Sequence, residues 1–152
     1  MLITVAICTW NRSRKLHQLL SSLEKANIPH DLRWEVLIVN NNSTDDTEAV
    51  IASHKRTLPI RSVFETRQGI AHARNKALLE SAGKYIICLD DDVIAPPDLL
   101  GAYHKATLNW PHASFFGAPL KICADFHLPG YISQTYISRL NNFFLRKDLG
   151  SL

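Results

Sequence analysis

Short apolar runs alternate along the chain with segments whose apolar residues recur at helical spacing. Four apolar runs predict β-strands, at residues 2–8, 34–40, 60–64 and 84–89. Their near-continuous hydrophobicity is typical of strands covered on both faces. The intervening segments predict helices at residues 12–26, from Ser43 onward, and at residues 70–82. Strands that alternate with helices indicate a doubly wound α/β domain, with a mostly parallel sheet and helices on both faces.

The helix predictions depend on spacing and on end signals. The first helix carries a leucine stripe at i, i+3, i+4 and i+7, formed by Leu16, Leu19, Leu20 and Leu23. Ser43 is the expected cap of the second helix, because acidic residues follow it in the first turn. Gly83 is the expected stop signal of the third.

The pattern is weaker after residue 96. It predicts a helix over residues 98–109 and a fifth strand over 113–118. Residues 132–146 could form a helix with one apolar face and flanking basic residues. We therefore divide the chain into an α/β domain over residues 1–120 and a tail over 121–152.

Composition excludes several classes of protein. The chain has 46% hydrophobic and 20% charged residues, as soluble globular domains do, and it lacks the run of about 20 apolar residues that spans a bilayer. The net charge of +3 is scattered, so no nucleic-acid partner is expected. Three cysteines without a paired spacing indicate neither disulfides nor zinc. Cys8 and Cys88 are expected to be buried, and a cytoplasmic location is expected.

Polar residues follow each predicted strand. They are Thr9, Trp10, Asn11 and Arg12; Asn41, Asn42 and Ser43; Glu65, Thr66, Arg67 and Gln68; and Asp90, Asp91 and Asp92. The carboxyl ends of parallel strands share one edge, and ligands of such sheets bind there, where the strand order reverses. We therefore expect these segments to form one site.

The run Asp90, Asp91 and Asp92 has the strongest chemical signal. Consecutive carboxylates repel one another unless a cation neutralises them. Mg²⁺ or Mn²⁺ would do so and keep positions for phosphate oxygens. In an extended segment Asp90 and Asp92 point to one side and Asp91 to the other. The alternative is that all three are solvated turn residues.

Arg74 is a charge on the sheet-facing side of the third predicted helix. Such an arginine usually has an anionic partner. The partner could be a ligand diphosphate, or the arginine could form a structural salt bridge with Asp90 or Asp91. The sequence leaves both open.

Two other carboxylate-rich classes fit poorly. Haloacid-dehalogenase-like phosphatases carry Asp-x-Asp after their first strand, whereas Asp90 and Asp92 follow the fourth. Receiver domains carry an acidic pair after the first strand, where this chain has Thr9 and Asn11.

Four stretches resemble the family 2 inverting glycosyltransferases with the GT-A fold, which is Rossmann-like. They are residues 5–12 (VAICTWNR), 39–47 (VNNNSTDDT), 69–75 (GIAHARN) and 89–93 (LDDDV) with Pro97 and Asp98. They recur in the family's order and cover most of residues 3–120. The resemblance implies a metal-dependent transfer of sugar from a nucleoside diphosphate sugar to an acceptor hydroxyl, with inversion.

The resemblance also implies roles for individual residues. The nucleotide-sugar-binding residues would be Thr9, Asn11, Arg12, Asn41, Arg74, Asp90 and Asp91, and the ligands of a Mn²⁺ or Mg²⁺ cofactor would be Asp92 and Asp90. Asn41 stands where the family contacts the base. The expected donor is a UDP-sugar, and the expected acceptor is a saccharide or a lipid-linked molecule.

The catalytic base is not identified. In the family it lies well downstream of the aspartates, and neither Asp125 nor Asp148 stands in a matching context. We expect the fold to be incomplete at its C-terminus, so that residues 121–152 begin an acceptor-side region or form an amphipathic tail. That tail could contact the inner face of a membrane. The alternative function is a nucleotide-sugar-binding module without turnover.

Overall fold

The structure is a computed structural model that describes residues 2–117. The chain divides into two compact units, Met1–Trp110 and Pro111–Leu152, and only residues 111–117 of the second are described. The strands are β1 (Leu2–Thr9), β2 (Arg33–Asn40), β3 (Ile60–Phe64) and β4 (Tyr85–Asp90). The helices are α1 (Ser13–Leu23), α2 (Thr47–His54), α3 (Ile70–Glu80) and α4 (Leu99–Asn109). Among these described helices none is long and apolar enough to cross a bilayer.

The four described strands form one parallel sheet in the order β3-β2-β1-β4. The chain builds outward from β1 through β2 to β3, and β4 then pairs with the opposite side of β1. The strand order therefore reverses between β1 and β4. This topology confirms the predicted doubly wound parallel sheet, and it puts the carboxyl ends of all four strands at one edge.

Both faces of β1 and β2 are covered, as their apolar runs predict, whereas β3 and β4 are only partly buried. Ile3, Val5 and Ile7 are fully buried in the larger core, which also contains residues of α1, α2 and α4. The alternate positions of β1 face α3, whose Ala73 and Ala77 pack in a smaller core. Small side chains here let the helix lie close to the strands.

The leucine stripe of α1 is confirmed as packing. Leu16, Leu19 and Leu20 are fully buried and Leu23 is 2% exposed. A helix that buries such a stripe is held mainly by this tertiary contact rather than by its intrinsic propensity. The predicted fourth helix is confirmed as well, because α4 occupies Leu99–Asn109.

The predicted start of the second helix is wrong. The helix α2 begins at Thr47, its N-cap is Asp46, and the Asp46 side chain makes no capping hydrogen bond. Ser43 instead accepts a hydrogen bond from the Asn11 backbone N–H at 3.0 Å. Its hydroxyl therefore links the loop after β2 to the loop after β1. Serine side chains readily form hydrogen bonds with backbone groups that no helix or strand pairs.

Gly83 is not the helix stop that the sequence suggested. The helix α3 ends at Glu80, and Ser81 is already extended. A Cβ atom at position 83 would lie 2.5 Å from the Thr4 backbone nitrogen. Glycine is therefore needed here, because the backbone passes too close to β1 for a side chain. The Gly83 N–H also donates a hydrogen bond to Thr4 Oγ1 at 2.9 Å.

Two further predictions are corrected. Residues 113–117 form no strand, and Phe115 is 88% exposed, because a short apolar run alone does not specify a strand. Cys88 is exposed rather than buried, while Cys8 is partly buried and its burial raises the pKa of the thiol to about 11. The predicted apolar helix over 132–146 and the tail over 121–152 lie outside the described residues.

Candidate functional site

The acidic run lies at the carboxyl edge of the sheet, beside the point where strand order reverses. Asp90 is the last residue of β4, and its side chain is 68% exposed. The side chain of Asp91 is only 6% exposed, whereas that of Asp92 is 48% exposed. Two carboxylates are therefore open to solvent and one is turned inward. The extended segment predicted here is wrong, because Asp91 and Asp92 form a turn after β4 and both contact Arg12, whereas Asp90 contacts Arg74.

The inward carboxylate of Asp91 is tied to the end of β1. It accepts a hydrogen bond from Thr9 Oγ1 at 2.8 Å and another from Arg12 Nη1 at 3.0 Å. A buried charge needs such partners, because an unpaired one costs several kcal/mol. The same contact raises the pKa of the Arg12 guanidinium above its usual value. Asp91 thus locks the loop after β4 onto the loop after β1.

The two exposed carboxylates each face an arginine. Arg12 Nη1 also lies 3.2 Å from Asp92 Oδ2, and Arg74 Nη2 lies 3.3 Å from Asp90 Oδ1. Both arginine side chains are more than half exposed, at 54% and 59%. Ion pairs this exposed contribute about 0–1 kcal/mol. A phosphate could therefore take over either arginine at low cost.

Asn11 links the loop after β1 to the loop after β2. Its Oδ1 accepts hydrogen bonds from the backbone N–H groups of Thr44 at 2.7 Å and Asp45 at 3.3 Å. The residue has a positive φ of 51°, which asparagine adopts more readily than most residues. Its role in the structure is to hold two loops of the site at a fixed distance.

Asn41 holds the loop after β3. Its side chain donates to the carbonyls of Glu65 at 3.0 Å and Arg67 at 2.8 Å, and it accepts from the Gly69 N–H at 2.8 Å. The residue is 4% exposed. The structure thus brings all the predicted site residues to one edge, and it separates them by exposure. Arg12, Arg74, Asp90 and Asp92 are open, whereas Thr9, Asn41 and Asp91 are buried beneath them.

Glu65 is a site residue that the sequence placed at this edge without a role. It follows β3, is 7% exposed, and its carboxylate accepts from the backbone N–H and the Nε of Arg67 at 2.9 and 3.2 Å. The hydrogen bond from the Arg67 backbone N–H lowers the pKa of this carboxyl. An acidic residue directly after a short apolar strand was the available signal in the sequence.

Asp45 is a second residue without a predicted role. Its carboxylate accepts from the backbone N–H of Ser13 at 2.9 Å and from that of Thr47 at 3.1 Å. These are the first residues of α1 and α2. A single carboxylate therefore serves two helix N-termini, where negative charge is favourable.

The exposed carboxylates of Asp90 and Asp92 supply some, but not all, of the oxygen ligands that a hard divalent cation needs. Among the described residues no three histidine, cysteine, aspartate or glutamate side chains are arranged to hold a metal. The ion pairs of Asp90 and Asp92 each engage one carboxylate oxygen. Mg²⁺ is commonly held by one or two carboxylates, with substrate phosphates and water as further ligands. Two exposed carboxylates on one edge meet that requirement only together with a phosphate ligand.

Comparison with known proteins identifies the family. The sequence model described as "Glycosyl transferase family 2" matches residues 4–150. The chain belongs to glycosyl transferase family 2. A curated relative is the uncharacterized glycosyltransferase YfnE of Bacillus subtilis, which is 32% identical over 110 residues, 72% of this chain and 28% of YfnE.

A second relative is the poly(ribitol-phosphate) β-N-acetylglucosaminyltransferase TarS of Staphylococcus aureus. It is 31% identical over 94 residues, 60% of this chain and 16% of TarS. The crystal structure of TarS in complex with UDP-GlcNAc matches with a TM-score of 0.66 at 22% identity, over 80% of this chain and 38% of that one. At this identity the likeness shows the shared GT-A fold.

A third similar protein is the mannosyltransferase PcManGT of Pyrobaculum calidifontis, solved in complex with GDP-Man and Mn²⁺. It matches with a TM-score of 0.64 and 28% identity, over 79% of this chain and 35% of that chain. This family 2 chain thus spans well under half the length of the relatives it matches. The family match shows a glycosyltransferase domain, and the structural matches show its GT-A fold.

Proposed function

We propose that this family 2 domain binds a nucleoside diphosphate sugar, with a UDP-sugar as donor, at the carboxyl edge of its sheet. The observation that carries the proposal is the pairing of two exposed carboxylates with two exposed arginines where the strand order reverses. Asp90 lies beside Arg74, and Asp92 lies beside Arg12. This is a surface of mixed charge, suited to a diphosphate that brings a cation with it.

The arginines are the groups that would contact phosphate directly. Each ion pair is exposed enough to open at little cost, and a guanidinium binds phosphate oxygens in a planar, directional way. Trp10 is 51% exposed in the same loop as Arg12, so its ring is available to stack on a base. Hydrogen bonds of Thr9, Asn11 and Asn41 hold the loops that form this surface.

Asp92 and Asp90 are the residues that would hold a Mn²⁺ or Mg²⁺ ion. When bound, such an ion neutralises the charge that builds up on the diphosphate as the sugar–phosphate bond breaks. Asp91 keeps both in place through its contacts with Thr9 and Arg12. PcManGT was solved with GDP-Man and Mn²⁺, and TarS was solved with UDP-GlcNAc; these two complexes support a donor and a metal of this kind.

The reaction proposed is a single displacement at the anomeric carbon with inversion, and the acceptor hydroxyl belongs to a saccharide or lipid-linked molecule. Deprotonation of that hydroxyl requires a carboxylate base. Asp125 and Asp148 lie outside the described residues, and we assign no base in this chain. The chain is therefore proposed as the donor-binding part of the enzyme. A binding module without turnover is distinguished by its lack of sugar transfer and of donor hydrolysis.

Calorimetric titration of UDP with and without Mn²⁺ tests the site. We expect binding that requires the metal, and a loss of at least about tenfold in Asp92→Asn, the effect of about 1.4 kcal/mol. Asp46→Asn is the matched control, because Asp46 is exposed and makes no capping hydrogen bond. It should bind UDP as the wild type does.

Two outcomes of this titration would contradict the proposal. Either equal UDP affinity with and without Mn²⁺, or wild-type affinity in Asp92→Asn, would exclude Asp92 as a metal ligand. A parallel titration with GDP tests the uridine preference, which fails if GDP binds as tightly as UDP.

A further inference from the structure

The position of Asn41 suggests a role different from contact with a base. The residue follows the last residue of β2 and donates its backbone N–H to the Thr9 carbonyl at 2.9 Å. Its side chain is enclosed, since only 4% of the residue is exposed.

The carboxamide of Asn41 has both of its N–H donors in use. One bonds the Glu65 carbonyl and the other the Arg67 carbonyl, at 3.0 and 2.8 Å, while the amide oxygen accepts from the Gly69 N–H at 2.8 Å. These three bonds cover the beginning, middle and end of the loop at residues 65–69. One side chain therefore fixes the whole path from β3 to α3.

Gly69 transmits this anchoring to α3. It is the N-cap of that helix and has a φ of 134°, a conformation that favours glycine. Its carbonyl accepts the N–H groups of His72 and Ala73 at 3.0 and 3.1 Å. Arg74 is the next residue and reaches Asp90. The position of Gly69 thus sets the position of Arg74.

Only an amide satisfies this arrangement. A carboxylate is acceptor-only when ionised. In the place of Asn41 it would face the two carbonyl oxygens of Glu65 and Arg67 without a hydrogen to share. Aspartate has nearly the same shape, so Asn41→Asp removes the donors and leaves the volume unchanged.

We propose that Asn41 is a positioning residue, which holds the loop at residues 65–69 and through it places Arg74 for the diphosphate, and that it does not read the base. The proposal rests on the proposed function for the identity of the ligand. The anchoring itself is a property of the free protein, and can be measured without any ligand.

Hydrogen exchange in the free protein tests the anchoring. In Asn41→Asp the Gly69 amide should exchange faster by about tenfold or more, because its acceptor is displaced. Amides in the core of β1 should keep their protection. Asn27→Asp makes the same change at an exposed asparagine and should leave Gly69 protected. If Asn41→Asp does not fold, Asn41→Ala gives the same reading without a buried charge. Unchanged exchange at Gly69 overturns the proposal.

Binding separates positioning from base recognition. Weakening of UDP and GDP by the same factor in Asn41→Asp supports positioning, whereas a change in the ratio of their affinities overturns it.

Arg74→Gln supplies a second comparison. If Asn41 acts through Arg74, Asn41→Ala should weaken UDP far less in that background than in the wild type, and additive losses overturn the proposal. Failure of wild-type UDP binding would refute the proposed function, while the Gly69 exchange result would still decide the anchoring.

Discussion

Short polar side chains connect the loops of this site. Asn11 joins the loops after β1 and β2, and Asn41 joins the end of β2 to the loop after β3. Asp45 completes this set by bonding the first residues of α1 and α2. Each of them satisfies backbone groups that no strand or helix pairs, which is why asparagine and aspartate are favoured in such loops.

The stability contributed by Asp45 should depend on pH. Desolvation of the carboxyl by neighbouring groups would alone raise its pKa, but hydrogen bonds from Thr47 and Ser13 outweigh this effect and lower the pKa from 3.8 to about 2. A lowered folded-state pKa means that the stabilisation is complete above 3.8 and is lost as the pH falls through about 2. We expect Asp45→Asn to reduce the free energy of unfolding by about 1 kcal/mol at pH 7, because the substitution removes a negative charge from two helix N-termini.

Urea denaturation of Asp45→Asn and wild type over a series of pH values measures this effect. The difference between the two proteins should shrink as the pH falls below 3.8. Asp46→Asn is the control, because the Asp46 side chain makes no capping hydrogen bond, and it should change stability by less than about 0.5 kcal/mol. A pH-independent difference for Asp45→Asn would refute the role of its charge.

The elements are held by two unequal cores. The larger core lies under α1, α2 and α4, and the smaller one lies under α3, where Ala73 and Ala77 are the buried residues of the helix. With so little apolar area under α3, its ends must be fixed by other contacts. Asn41 does this at the N-terminal end through Gly69. Close approach of Gly83 to β1 does so just beyond the C-terminal end.

Alanine substitution should have opposite effects on stability at Gly83 and at Gly101. A Cβ at Gly83 would lie 2.5 Å from the Thr4 nitrogen, so backbone must shift, and we expect Gly83→Ala to destabilise by about 1–3 kcal/mol. Gly101 lies within α4, where the nearest atom to an added Cβ is Pro29 Cγ at 3.9 Å. Gly101→Ala should stabilise by about 0.5–1 kcal/mol, because alanine is the better helix former. Thermal unfolding measures both, and equal signs would contradict the assignment.

At the scale of the whole molecule, parallel strand order concentrates charge at one edge. The reversal between β1 and β4 brings the acidic loop after β4 beside the arginine of the loop after β1. Arg74 approaches the same loop from α3, on the other face of the sheet. Opposite charges therefore meet from three elements, and in the proposed function a bound diphosphate and its cation replace these internal ion pairs.

Ligand binding at this edge should stabilise the protein in a salt-dependent way. UDP with Mn²⁺ should raise Tm, since saturating a site to about 100 times Kd adds about 2.7 kcal/mol. Exposed arginines interact through solvent, so the rise in Tm should be smaller in about 0.5 M salt than at low salt. Arg74→Gln should reduce the rise. Arg14→Gln, at an exposed position of α1, should not, and an equal effect of both variants would contradict a specific role for Arg74.

The sequence by itself determined the alternation of strands and helices, the leucine face of α1 and the polar segments that share an edge, because these depend on the period of apolar residues along a local stretch. Helix ends were less predictable. Ser43 and Gly83 carry common end signals, yet each is used for a contact with another loop or strand. Such contacts compete with local preferences and cannot be seen from neighbouring residues alone.

Only the tertiary structure decided which residues of the site are open to a ligand and which support it. Thr9 and Asp91 are 82 positions apart and form a buried pair, and Asn41 bonds the Gly69 amide across 28 positions. Sequence motifs identify such residues as candidates for one site, but the solvent exposure of each side chain depends on how the parallel strands and their loops pack. The physical reason is that burial of a polar group requires a partner, and the fold supplies that partner from a distant part of the chain.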